Sequence, residues 1–347
     1  MRRMKNKDYW ASRQARQMYK RVQDSEDYLT NLASYYIASS AYMQTEAEKI
    51  LKKFQLEHNL TRAEAERLLK TVKDPADIKE LVKALKKDPK NAALAAELES
   101  QAYAARISRL ASLHAQLAAV TAAIGLTESN GATRILTKIA KDVYLHKIFD
   151  LQQYANAAFD FKMMSEKDIK QVLDQSWAGS GFSQRIWGNT KKLEEAVKRE
   201  ITIGMMTGRS PHKTAQAIED EFHKGYNNAR RLIRTETTCV AGQMDKRAYK
   251  ECGVGKYIYV ATLDLRTSKI CRSLDGKTFE LSKAEVGKNY PPMHPYCRST
   301  TIGWLPESWL KTMKRRARDP KTGKSMTVPA NMTYQEWYDK YVKGRET

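Results

Sequence analysis

Apolar positions recur three and four residues apart through most of the first two-thirds of the chain, a period that predicts helices. From Asp8 to about Leu126 glycine is scarce and proline occurs only at Pro75 and Pro89. Thr61 with Glu64 three residues on predicts a capping box, in which each side chain satisfies an orphan amide at a helix start. Ala65, Leu68, Leu69 and Val72 then share one face. Lys73-Asp74-Pro75 predicts the stop and Asp77 the next cap, before a stripe of Ile78, Leu81, Val82 and Leu85. Lys86 to Asn91 is another stop, and Ala92 to Ile124 predicts one extended helix whose small residues allow close packing as a core or docking element. Thr127 to Thr133 predicts a turn, with helices resuming over Arg134 to Ala158 and Glu166 to Gln175. Glycines and aromatics alternate from Trp177 to Trp187 and predict a sharp bend. A helix from Thr190 to Met206 should end at Gly208, Ser210-Pro211 should open the next as far as Phe222, and a further helix should cover Ala229 to Glu251.

After Gly253 the period changes. Tyr257 to Leu263 is β-branched and aromatic and predicts a strand; Thr278 to Leu281 and Arg298 to Ile302 are weaker ones, with Asp275-Gly276 forming a tight turn before the second. Lys311 to Arg318 is a basic cluster expected in an exposed loop, ahead of a short amphipathic helix holding Trp337, Tyr338 and Tyr341. The pattern predicts an α+β fold that is predominantly α-helical, a long helical N-terminal region followed by a small C-terminal α+β module. Its expected divisions are 1–126, a helical docking arm; 127–227, a helical middle region; 228–305, the α+β module; and 306–347, the basic tail.

The 347 residues suffice for about two domains. With 61 Lys and Arg against 40 Asp and Glu, the formal charge of +21 predicts an acidic partner, nucleic acid being the commonest polyanion. The most apolar stretch, Leu117 to Leu126, is shorter than the roughly 18 apolar residues that span a membrane, and the basic N-terminus runs into polar residues where a signal peptide needs apolar ones. The expectation is a protein of the cytoplasm or of something assembled there, with no membrane partner. Four cysteines in such a compartment do not predict a disulfide scaffold.

Candidate chemistry gathers at Cys271, His294 and Cys297, two soft ligands and an imidazole of the types that bind zinc. A C-x2-C knuckle would need cysteine at 268, where the chain has Ser268; Cys239, Cys252 and Asp264 are alternative fourth ligands. The competing reading makes the two cysteines small buried hydrophobes and His294 a hydrogen-bonded packing residue. A thiol nucleophile with His294 as base is a third reading. Metalloprotease, zinc-deaminase and phosphate-loop motifs are missing from the sequence. On the helix before the module, Arg234 and Glu236 are expected to reach partners in the module and fix it in place. Arg2 and Arg3 at one end, and Lys314, Arg315, Arg316 and Arg318 at the other, are candidate phosphate contacts.

The run Asn228–Thr238 (NARRLIRTETT), then Tyr257 to Leu263, Asp264-Leu-Arg-Thr267, Cys271–Lys277 (CRSLDGK) and Pro291–Arg298 (PPMHPYCR) resembles the phage Mu F-like minor head protein family. Asp8 to Arg13 and Trp177 to Thr190 extend the likeness. The resemblance implies a non-enzymatic minor capsid protein acting in head morphogenesis and in DNA packaging or delivery. It would lie inside the head in few copies, bound to the portal and packaged double-stranded DNA, after assembly in the host cytoplasm. It also implies structural roles in the module for Arg234, Glu236, Asp264, Arg266, Thr267, Asp275, Gly276, Pro291, Pro292 and Arg298. Some members carry cysteine where this chain has Ser268. Two other functions compete: a free, sequence-independent DNA-binding protein, and a hydrolase or nuclease centred on the Cys/His trio.

Overall fold

The structure, a computed structural model, describes residues 7–54, 56–74, 77–155, 161–175, 179–304, 314–320, 322–329 and 332–343. Helices α1 (Lys7–Leu51), α2 (Arg62–Leu69), α3 (Ile78–Leu85), α4 (Ala92–Glu99), α5 (Gln101–Ala155), α6 (Glu166–Leu173), α7 (Phe182–Met206) and α8 (Pro211–Glu251) precede strand β1 (Lys256–Val260). Then follow α9 (Lys269–Leu274), β2 (Thr278–Glu280), β3 (Thr300–Gly303), β4 (Lys314–Arg318), β5 (Ser325–Pro329) and α10 (Tyr334–Tyr341). The fold is predominantly α with a small C-terminal sheet module, as the pattern predicts. The described chain forms two compact units, and the first comprises residues 1–28, 131–182 and 231–347, the second 29–130 and 183–230.

In the second unit, apolar residues at helical spacing become core: Leu29, Leu32 and Tyr36 on α1, Leu110, Leu113 and Leu117 on α5, Leu193 and Val197 on α7, and Ile218 and Phe222 on α8. The predicted capping box at Thr61 and Glu64 forms, and the Asp77 carboxylate accepts from the amides of Lys79 and Glu80. Glu200 accepts from Arg62 at 3.0 Å and from Arg209 at 2.7 Å, and the Leu60 amide donates to the Met206 carbonyl, so α2 is tied to the end of α7. Gly208, at φ +60°, stops α7 where expected.

Several helix boundaries differ from the sequence pattern for identifiable reasons. The expected single helix from Ala92 breaks at Ser100, whose backbone is extended. There Glu97 is held by the amide of Glu57 and the hydroxyl of Tyr103, which bends the chain into α5. The turn expected at Thr127 to Thr133 is helix: a Cβ on Gly131 would lie 2.2 Å from the Tyr28 ring, so this glycine serves close approach within the first unit rather than chain reversal. Similarly, α8 runs unbroken past Phe222, where Gly225 admits Leu193 and Tyr36. From Phe182 the expected bend is already α7, while Trp177 lies outside the described residues. By length and composition α5 also has one window apolar enough to cross a membrane; within the second unit its Leu110, Leu113, Leu117 and Ile124 are core side chains.

In the first unit, Lys138 pairs with Asp24 and Lys20 with Asp142, joining α5 to α1. Lys147 and Asp245 form an ion pair at 3.2 Å with side chains only 4% and 2% exposed. The module's sheet has the antiparallel order β2-β1-β3, with Tyr257 opposite Phe279 on one side and Gly303 on the other. The tail cluster expected in a loop is partly strand: Lys314 to Arg318 pairs with Ser325 to Pro329, and between them the Gly323 amide bonds the Asp319 carbonyl. This hairpin and α10 bury Trp337, Tyr334, Val328 and Ala317 against Leu263. Thr333 and Glu336 cap α10, and Arg272 of α9 lies over the Tyr334 ring at 4.7 Å.

Candidate functional site

Strand β1 supplies the floor of the site. Tyr257 and Tyr259, two residues apart, share a strand face; Tyr257 packs edge-on against Tyr290, and the Tyr259 hydroxyl donates to Cys271 Sγ at 3.3 Å. Burial pushes the Tyr259 phenol far above its ordinary value, so at neutral pH it is a donor.

The segment after β1 is fixed by Asp264. Its carboxylate accepts both guanidinium NH2 groups of Arg298, the Arg266 amide at 3.0 Å and the Thr267 hydroxyl at 3.2 Å. Burial opposes its ionisation, but the Arg298 bonds outweigh that and hold the carboxyl below the ordinary range. Thr267 also donates to the Thr262 carbonyl, and Thr262 to that of Arg298. Ser268 then caps α9, its hydroxyl accepting the Cys271 amide, so Cys271 stands in the helix's first turn. Asp275 accepts the Ala261 amide at 2.8 Å, and Gly276, at φ +75°, returns the chain to β1 through its amide on the Tyr259 carbonyl.

The other half of the site is the Pro291–Arg298 turn, with Pro291 and Pro292 buried and joined by a cis bond. Helix α8 holds it. Gly242 accommodates the Pro291 carbonyl, Thr235 accepts the Tyr296 amide, and Thr238 donates to the Cys297 carbonyl at 2.7 Å. Arg234 reaches α1, bonding the Val22 carbonyl and Ser25 hydroxyl and pairing with Glu26. Glu236 is buried. Nothing in the sequence singled out Thr235 and Thr238 from other polar helix residues.

The turn and α9 bring Cys271, His294 and Cys297 together, their ligand atoms all within 4.8 Å of one another. Cys271 Sγ lies 3.3 Å from His294 Nε2 and 3.9 Å from Cys297 Sγ. His294 Nδ1 bonds the Pro295 carbonyl at 2.8 Å, and the ring turns Nε2 toward the sulfur. Contact with Cys297, helped by Ser268, Ser299 and Tyr259, draws the Cys271 thiol below its ordinary value, and the same contact pushes Cys297 up. The expected fourth ligands are not in this group: Asp264 is engaged by Arg298, and Cys239 and Cys252 are buried elsewhere and form no disulfide. Arg2 and Arg3 lie outside the described residues, as do the side chains of Lys314, Arg315 and Arg316; Arg318 is exposed, with one guanidinium bond to the Gly323 carbonyl.

Fold and site define a small α+β module braced by a Cys/His corner and clamped to a long helix. Residues 195–302 match the family model described as "Phage Mu protein F like protein", and this stretch of the chain is phage Mu F-like. Among curated proteins, the chain is similar to the NAD(+)--arginine ADP-ribosyltransferase EFV of Enterococcus faecalis (strain ATCC 700802 / V583), with 26% identity over 228 residues. The match covers 60% of this chain and 45% of that protein, so the chain spans under half the length of the curated relative it matches. No solved structure matches the chain.

Proposed function

We propose that this chain is a minor head protein of a tailed phage or prophage, bound to the portal inside the head and in contact with packaged DNA. The observation that carries the reading is the phage Mu F-like match over 195–302, which supports a phage head morphogenesis protein in general. The finer assignment draws on charge and packing. A +21 chain enclosed with DNA neutralises phosphates and releases counterions, without regard to sequence and with steep salt dependence. The helical N-terminal region is the docking arm in this reading, and the Cys/His corner is a structural brace rather than a catalytic centre. The ADP-ribosyltransferase activity in the relative's name belongs to a protein of which this chain covers 45%.

Quantitative mass spectrometry on purified DNA-filled particles and portal-containing assemblies tests this assignment. The expected result is a fixed, low ratio of this chain to portal. Recovery only in the soluble lysate overturns it and leaves free DNA binding or enzymatic activity as the function to assay.

A further inference from the structure

We infer that Cys271, His294 and Cys297 hold a tetrahedral zinc ion through three protein ligands, with the fourth position taken by solvent. This inference stands apart from the assignment to phage heads, since it rests on the geometry of one corner.

The spacing of the donor atoms carries it. With Zn–S near 2.3 Å and Zn–N near 2.0–2.1 Å, a tetrahedral centre sets its ligands about 3.8 Å apart for sulfur to sulfur and about 3.5 Å for sulfur to nitrogen. Two of the corner's three pairs are at 3.9 Å and 3.3 Å, and all three lie within 4.8 Å. A disulfide would need its sulfurs near 2.05 Å, and both cysteines are free.

The surroundings are those of a ligand set. His294 presents Nε2 with its Nδ1 bonded to the Pro295 carbonyl, the kind of support that metal-bound histidines have. Tyr259 donates to Cys271 Sγ at 3.3 Å, a hydrogen bond suited to a thiolate. The ligand-bearing backbone is held beforehand by the Ser268 cap and the Thr235 and Thr238 clamps.

The fourth position follows from Ser268. It stands three residues before Cys271, at the spacing of a C-x2-C knuckle, yet offers a neutral hydroxyl that accepts the Cys271 amide. Among the described residues the cluster contains no other His, Cys, Asp or Glu. The two cysteines are buried and His294 is half-buried, so solvent reaches the ion from the His294 side.

The test is cobalt substitution in the full-length chain, reduced and stripped of metal by a chelator. One Co2+ per chain is expected, with the visible bands of tetrahedral cobalt and a thiolate charge-transfer band, both abolished by an equivalent of Zn2+. Cys297→Ser and His294→Ala should each remove the tetrahedral bands. Ser268→Cys, which leaves the trio intact, should raise the charge-transfer intensity by about half, as the thiolates go from two to three, and tighten zinc binding. No stoichiometric binding by the wild-type chain, or binding with the same spectrum in Cys297→Ser, overturns the site. An unchanged spectrum and affinity in Ser268→Cys overturns the solvent-filled fourth position. Circular dichroism identifies any variant that has lost its fold, and the gain expected from Ser268→Cys keeps the inference testable if the ligand variants do not fold.

Discussion

The helical packing of residues 29–130 and 183–230 buries leucine and aromatic faces, and among its described residues the buried carboxylates are Glu128 and Glu200. The corner built on β1 buries Asp264, Asp275, Thr267 and two cysteines within a few turns of chain. In the first region contacts are non-directional and interchangeable, so volume matters most. In the second the buried polar groups depend on specific partners in fixed geometry, and losing a partner leaves a group that water cannot reach.

The largest test of that contrast is Asp264→Ala. It strands the Arg298 guanidinium and frees two further donors, the Arg266 amide and the Thr267 hydroxyl, and is expected to destabilise the module by roughly 3–5 kcal/mol, the range for breaking a buried pair. Urea unfolding followed at the module's tyrosines measures it. A loss no greater than that of an exposed charge would mean that the corner is held by packing after all.

The second test turns to the helical region. Burial pushes the Glu128 carboxyl up to about 7, against a hydrogen bond from Tyr36 at 3.2 Å. Its folded value is above its unfolded value, so the stability it contributes is fully present below about pH 4.5 and is lost as pH rises through about 7. Across that window the wild-type chain should lose on the order of 3 kcal/mol more than Glu128→Gln does. Parallel stability-pH curves for the two would place this charge with the ordinary surface carboxylates.

The smallest test separates two helical glycines. Gly131→Ala puts a methyl 2.2 Å from the Tyr28 ring and should destabilise by about 1–3 kcal/mol. At Gly125 the nearest atom is 2.7 Å away on Trp187, which is 41% exposed and free to swing aside. There the helix preference for alanine, about 1 kcal/mol, offsets the clash, and thermal unfolding should hardly move.

The caps at Thr61 and Asp77, the stop at Gly208 and the α10 helix around Trp337 were legible in the sequence, because each is decided by residues within one or two turns. So was the joint presence of Cys271, His294 and Cys297, as a set of ligand types. Glycines at 131 and 225 carried the same local signal as a turn glycine, and only the neighbouring Tyr28, Tyr36 and Leu193 show that they serve close packing. The partners of Arg234 were hidden for a related reason: a helix presents each residue to a different neighbour, and which neighbour lies where is set by chain far away in sequence.

By itself the sequence determined the helical character, the change to strands after Gly253, the local caps and stops, and the excess of positive charge, since each follows from composition and short-range spacing. Tertiary structure decided which helices run unbroken, that Thr235 and Thr238 clamp the module, and that Cys271 and His294, with 22 residues between them, meet at 3.3 Å. The physical reason is reach. A cap or a stop needs atoms a few ångströms along the chain, whereas a close glycine contact or a ligand edge needs two distant segments held in register by everything packed between them.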